Sequence, residues 1–191
     1  MAKAKKELTR CPWCVSSELM MEYHDHEWGT PVHDDETHFE YIVLDSFQAG
    51  LSWSTILNKR ENFRKAFDNF DPIKISMYKD SKIEKLLQDP GIIRNRLKVI
   101  ATVSNAKAFL AIQKEYGSFN KYIWQFTKGK TIKNKWRSPN EVPAKTKESD
   151  EMSKDLYARG FKFVGSTICY AYMQASGMVD DHLADCFRRR K

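Results

Sequence analysis

The residues of this 191-residue chain that are best suited to chemistry lie towards its two ends. Near the C-terminus, DDHLADCF sets His182 and Cys186 four positions apart, so on a helix both side chains would leave one face and could share a metal ion. Near the N-terminus, CPWC carries Cys11 and Cys14, and EYHDHEWG carries His24. Cysteines and histidines drawn from both ends would make a closed tetrahedral site, and zinc is the metal such a donor set prefers. The same residues also read as unligated thiols beside a surface histidine. Cys169, inside the apolar run TICYAYM, reads as core packing.

A second group is suited to holding a planar base. Trp13, Tyr23 and Trp28 lie near one another in sequence, and Trp53 follows QAGLS. Aromatic faces stack on an extruded nucleobase and attract a cationic base more strongly than a neutral one, although most aromatic residues in any chain are core. Asp45 sharpens the case. It lies in the helical pattern FEYIVLDSFQAG on the side shared with Tyr41, Ile42 and Ala49, where a carboxylate is costly unless it has a partner or a function.

The elements that must position these residues are helices. THFEYIVLDSFQA places Phe39, Ile42, Val43 and Phe47 at helical spacing, and RENFRKAFDNF repeats the pattern with Phe63, Phe67 and Phe70. Lys82 to Gln88 reads as a short helix, and Asp89, Pro90 and Gly91 form a turn before IIRNRLKVIATVSNAKAFLAIQKEYG, which Gly117 stops. SFNKYIWQF reads as a further helix, and GKTIKNKWRSPNEVPAKTKES as a surface loop. Ser149 is expected to cap DEMSKDLYARG, STICYAYMQASG to form the last apolar helix, and a short terminal helix to begin at about Asp180. There is no internal repeat and no alternating strand pattern, so the expected class is all-α with roughly eight to ten helices.

Thirty-two basic against 25 acidic residues leave a formal charge of +7. That excess favours an anionic partner, although much of it sits in short tails that are often only solvated. No apolar run is long enough to span a bilayer, and MAKAKKELTRC lacks the apolar stretch of a secretory signal, so a cytoplasmic location is expected. Four cysteines are too sparse for a disulfide scaffold, which agrees with a reducing compartment. The expected organisation is a basic tail over 1–9, one domain over 10–187, and a basic tail over 188–191.

EYHDHEWG, FQAGLSW, KREN, FDP, GIIRNR, RGFKFVGSTICYAYMQASG and DDHLADC resemble, in order and spacing, the motifs of the 3-methyladenine DNA glycosylase I family, and together they span nearly the whole chain. The resemblance implies a compact helix-hairpin-helix glycosylase fold that binds DNA from the minor-groove side, flips one nucleotide out and cleaves its base from the sugar. It implies a structural zinc ion held by Cys11, His24, His182 and Cys186, tying the chain ends together; Cys14 has no counterpart, which leaves open which thiol of CPWC binds. Tyr23 and Trp53 match pocket aromatics that contact the base, Trp28 and Trp13 stand as their neighbours, and Gly50 with Leu51 match a wedge that approaches the gap left in the duplex. Gly165 and its hairpin neighbours, with Lys162, are expected to grip phosphates.

This chain departs from the family pattern in three places. Asp45 stands where the family usually has Glu, and Met20 stands where a further pocket tyrosine is expected. Asp180 occupies a position at which other superfamily members carry a carboxylate that assists bond cleavage; it also reads as an N-cap for the expected terminal helix. Ser166 fills the place of the Schiff-base lysine of bifunctional members, which implies hydrolysis without strand cleavage. The implied function is release of 3-methyladenine from alkylated double-stranded DNA by a monomer. The alternatives are altered lesion specificity, or a zinc-stabilised module that binds damaged DNA without cleaving it.

Overall fold

Start and stop signals in the chain place ten α-helices among the described residues, 8–189, of the computed structural model. The second helix, α2 (Asp35–Gln48), begins where the Asp34 carboxylate accepts the Thr37 amide, with Asp35 and Glu36 complementing the positive end of the helix. The longest, α7 (Arg96–Tyr116), is capped by Asn95 and ends at Gly117, whose φ of 82° suits glycine. These two helices carry the core. Phe39, Val43 and Phe47 of α2 meet Val99, Ala106 and Phe109 of α7 in one buried cluster, and each fully buried phenylalanine contributes about 2 kcal/mol of apolar transfer.

Around that pair, α4 (Arg60–Ala66) adds Phe63, α5 (Pro72–Ser76) packs along α7, and α6 (Asp80–Gln88) follows it. The short α8 (Phe119–Ile123) sits at the end of α7. A hairpin of α9 (Lys147–Ala158) and α10 (Ser166–Ala175) lays α10 against α2. On the other side of α2, α1 (Glu18–His26) and α3 (Trp53–Leu57) form a smaller cluster with Met20, Tyr23 and Leu57. Arg60 ties α1 to α2 by donating to Glu27 at 2.7 Å and to Glu40 at 2.6 Å, while the Tyr41 hydroxyl donates to Glu27 at 3.0 Å.

Several elements differ from the expectation. α7 starts at Arg96, so IIRN is loop, and α4 stops at Ala66 because Asp68, Asn69 and Phe70 all take positive φ. Thr146 rather than Ser149 caps α9; Ser149 is its third residue, and its hydroxyl accepts the Thr146 amide in a capping box. No helix begins at Asp180. Val179–Asp180 instead forms a strand, β2, parallel to β1 (Ile132–Lys133), and turns follow. The stretch expected as a surface loop therefore contains β1 and also brings half-buried Asn134 and Trp136 onto the carboxylate of buried Asp181. Arg10, the first residue of the expected domain, is part of the fold and grips Asp25 at 2.7 Å. Residues 1–7 of the expected N-terminal tail and 190–191 of the C-terminal one lie outside the described residues. No described helix is long and apolar enough to cross a membrane.

The turn after α10 fixes where the two chain ends meet. Gly177 has φ +67°, and a Cβ there would lie 2.3 Å from the Thr30 carbonyl carbon and 2.4 Å from the Pro31 nitrogen. Both contacts are backbone and cannot yield locally. Gly177→Ala should therefore lower unfolding stability by about 3 kcal/mol or more, combining positive-φ strain with overpacking. Denaturant unfolding measures it, and a loss below about 1 kcal/mol would show that this crossing relaxes freely.

Candidate active site

α1, the C-terminal half of α2, α3 and α10 enclose a cavity of about 570 Å³. Its walls bring together the residues that the sequence marked as aromatic or acidic: Trp13, Tyr23, Trp28, Asp45 and Trp53 all line it. The Tyr23 and Trp53 rings stand 5.2 Å apart at 45°, and the Trp13 and Trp28 rings 5.0 Å apart at 69°. Met20 lines the same space one helical turn before Tyr23.

Asp45 is 2% exposed, and its Oδ2 has no hydrogen-bond partner. Burial alone pushes its carboxyl well above the usual carboxylate range, which favours the protonated form relative to an exposed aspartate. The Trp53 indole N–H is likewise buried without a partner. An unmet acceptor and an unmet donor each cost about 1–3 kcal/mol, and a polar, planar ligand would relieve both. Burial also raises the Tyr23 hydroxyl, which stays protonated and serves as an aromatic face with a polar edge.

Of the adjacent acids Asp180 and Asp181, only the second lines the cavity. Asp181 accepts four hydrogen bonds, from Asn134 at 2.7 Å, Trp136 at 2.8 Å, the Tyr170 hydroxyl at 2.6 Å and Gln174 at 2.8 Å. It pins the cavity wall rather than offering a vacant oxygen. Asp180 turns the other way, and its Oδ1 accepts from His182 Nδ1 at 2.8 Å, so it caps no helix. Extended backbone sends successive side chains to opposite faces, which is why two neighbouring carboxylates serve two different sites.

Beside the aromatic wall, Cys11 Sγ, His24 Nε2 and Cys186 Sγ lie within 4.8 Å of one another and could hold a metal ion. Cys14 is outside this group, since its thiol donates to the Cys11 carbonyl at 3.1 Å. His182 and Cys186 do not share a helix, and His182 stands outside the group of Cys11, His24 and Cys186. The ring of His182 is 5.0 Å from that of His24, and its Nε2 is buried without a partner. Each histidine has its Nδ1 on a carboxylate at 2.8 Å, His24 on Asp25 and His182 on Asp180, which leaves both Nε2 atoms available as ligands. The hydrogen bond from Cys11 holds the Cys186 thiol down at about 4 and pushes the Cys11 thiol up, because two adjacent buried thiolates cannot both form unaided.

Gly50, at φ +79°, and Leu51, 41% exposed, project from the turn between α2 and α3, flanked by the cavity residues Gln48 and Ser52. Across the surface, Gly165 is the N-cap of α10 without any side-chain cap, and Lys162 is exposed in the preceding hairpin. Sequence reasoning missed Gln174, Asp181 and Trp136. The doublet DD and the lone tryptophan of KWRSP were the available signals.

The methyladenine glycosylase family matches residues 13–189. A DNA-3-methyladenine glycosylase of Haemophilus influenzae is 48% identical over 178 residues, covering 93% of this chain and 96% of that protein. A crystal structure of 3-methyladenine DNA glycosylase I superposes with a TM-score of 0.93 at 46% identity, covering 95% of this chain and 100% of that one. A variant of 3-methyladenine DNA glycosylase I in complex with 3-methyladenine gives a TM-score of 0.92 at 34% identity, with 95% and 98% covered.

The raised proton affinity of buried Asp45 has a consequence for stability. Its folded pKa lies above the unfolded one, so the unfolded chain loses this proton first and stability falls as pH rises from about 4 towards the folded pKa. Asp45→Asn removes that penalty. The variant should melt higher than the wild type at about pH 7, and the gap should close near about pH 4. Thermal unfolding across this range decides it, and a variant less stable at both ends would show that Asp45 has a partner in the folded chain.

Proposed function

The chain belongs to the methyladenine glycosylase family, and we propose that it hydrolyses the N-glycosidic bond of 3-methyladenine in alkylated double-stranded DNA. The observation that carries this reading is the buried Asp45 carboxyl, one oxygen unpartnered, in a cavity walled by Tyr23, Trp53, Trp28 and Trp13. Methylation at N3 leaves adenine in DNA positively charged, so the lesion is both a cation for these aromatic faces and a good leaving group. In this reading the nucleotide leaves the stack, Leu51 approaches the gap from its exposed turn, and the base enters the cavity. Asp45 ionises against the cation, and an ion pair in this desolvated space is worth far more than one in water. As oxocarbenium character develops the C1′–N bond breaks, the base leaves neutral with the bonding pair, and water bonds to C1′ and gives up its proton to solvent.

Ser166, at the start of α10, offers no amine for a Schiff base, which supports a monofunctional hydrolase. Asp45 is one methylene shorter than Glu, so a bridging water or a closer approach of the base is needed to reach an exocyclic amine. The uncapped end of α10 at Gly165, together with Lys162, suits a phosphate. In this reading the enzyme works as a monomer in the cytoplasm, with residues 10–187 as one domain.

The donor set fits zinc. Cys11, His24, His182 and Cys186 would hold it; the orphaned Nε2 of His182 and the two carboxylate–histidine pairs support this assignment. When bound, the ion would supply a crosslink between the chain ends rather than reaction chemistry. The wall depends on that crosslink: the Trp28 ring packs 4.7 Å from His182, and the Trp13 ring 5.5 Å from His24.

Two experiments test the reading. Incubation with methylated duplex should release 3-methyladenine, and Tyr23→Ala should slow release by about 100-fold through lost stacking and positioning; an unchanged rate would remove Tyr23 from the pocket. Metal analysis of protein purified without added metal should find about one zinc per chain, retained in Cys14→Ser and lost in His182→Ala. A zinc-free, fully folded wild type would dismiss the ion.

A further inference from the structure

Two side chains of α7 serve neither the cavity nor the metal group. Lys98 is 6% exposed and forms no ion pair among the described residues. Its ammonium instead donates to the carbonyls of Phe47 at 2.8 Å and Ala49 at 2.6 Å, at the C-terminal end of α2. Seven residues on, Asn105 clamps the backbone of one residue of the α9–α10 hairpin, donating to the Lys162 carbonyl at 3.1 Å and accepting the Lys162 amide at 2.8 Å. The Lys98 ammonium also lies 5.9 Å from the ring of Phe163, a hairpin residue with φ 56°. One rigid helix thus grips, about 10 Å apart along its axis, the two turns that face DNA in the reading above.

We propose that Lys98 is a positioning residue for base extrusion: it fixes the Ala49–Gly50–Leu51 turn so that Leu51 meets the duplex in a set orientation relative to the hairpin. The proposal rests on the reading of Leu51 as the residue that enters the gap. A cation is the right group there because the last carbonyls of a helix have no partners within it and carry the negative end of its dipole. Phe47 is buried, so its carbonyl would otherwise have no donor from solvent. The chain reverses at once through Gly50, at φ +79°, where an added Cβ would meet nothing within 4 Å; the Leu51 amide closes the reversal by donating to the Gln48 carbonyl at 2.6 Å, and Lys98 anchors the helix end from which it springs. Burying an ammonium without a carboxylate partner is costly and lowers its proton affinity, an expense that the turn's geometry explains and core packing does not.

The test compares wild type, Lys98→Met, Leu51→Ala and the double variant for single-turnover excision from methylated duplex, alongside titration with free 3-methyladenine. Lys98→Met should slow excision about tenfold or more while leaving free-base affinity within about twofold, because the turn lies outside the base cavity. The double variant should be no slower than the slower single variant, because both substitutions remove one shared action. Lys98→Arg, which keeps the donors, should recover part of the rate, and it carries the test if Lys98→Met does not fold. A wild-type rate in Lys98→Met, independent multiplying losses in the double variant, or a parallel loss of free-base affinity overturns the proposal. A wild-type rate in Leu51→Ala with slow excision in Lys98→Met overturns the wedge reading itself, and this role with it.

Discussion

A carboxyl group buried among aromatic rings with one oxygen unpaired is expensive, and much of this chain is arranged so that Asp45 can sit there. α2 is deeply packed, with Phe39, Val43 and Phe47 locked against α7. Asp45 leaves the opposite side of that helix and cannot swing towards solvent without unpacking them. Desolvation raises the proton affinity of the acid, and its unpartnered oxygen is an interaction that a suitable ligand can satisfy. A neutral adenine offers such a site hydrogen bonds, whereas a methylated one offers hydrogen bonds and a charge. Selectivity then comes from the difference between the two, which is largest where water is absent.

The rest of the structure supplies walls and hinges for that cavity. The Cys11–His24–Cys186 group joins segments more than 160 positions apart and backs the wall formed by Trp13 and Trp28. Asp181 gathers four donors, two from the loop after β1 and two from α10, and fixes the wall that it lines. The Glu27–Arg60–Glu40 bridge holds α1, and hence Tyr23, at its distance from α2. These polar clusters are partly or fully buried and well satisfied, which specifies geometry more than it adds stability.

Much of this was legible in the sequence where a local rule applies. Helical period located α2, α6 and α10, and Gly117 marked the end of α7, because apolar spacing and a left-handed stop act within a few residues. The apolar position of Asp45 was visible from its helical neighbours alone. The rest depends on contacts between distant segments. A two-residue strand such as β2 has no period to detect, and it exists because Ile132 and Lys133 pass beside it. The end of α4 was hidden because Asp68, Asn69 and Phe70 carry a helical apolar pattern through a left-handed turn. Cys11 could not be told from Cys14 by spacing; their separation came only when His24 and Cys186 were placed beside the first.

The central claim is that Asp45 and the aromatic rings together recognise an alkylated base. Its most direct test is a titration of free 3-methyladenine, with adenine as the control, into wild type and Asp45→Asn, followed through tryptophan fluorescence. The account predicts saturable binding of 3-methyladenine by wild type, much weaker binding of adenine, and an affinity at least about tenfold lower in the variant, the scale of one charge-assisted hydrogen bond. Equal affinity for both bases, or no change on substituting Asp45, would contradict it.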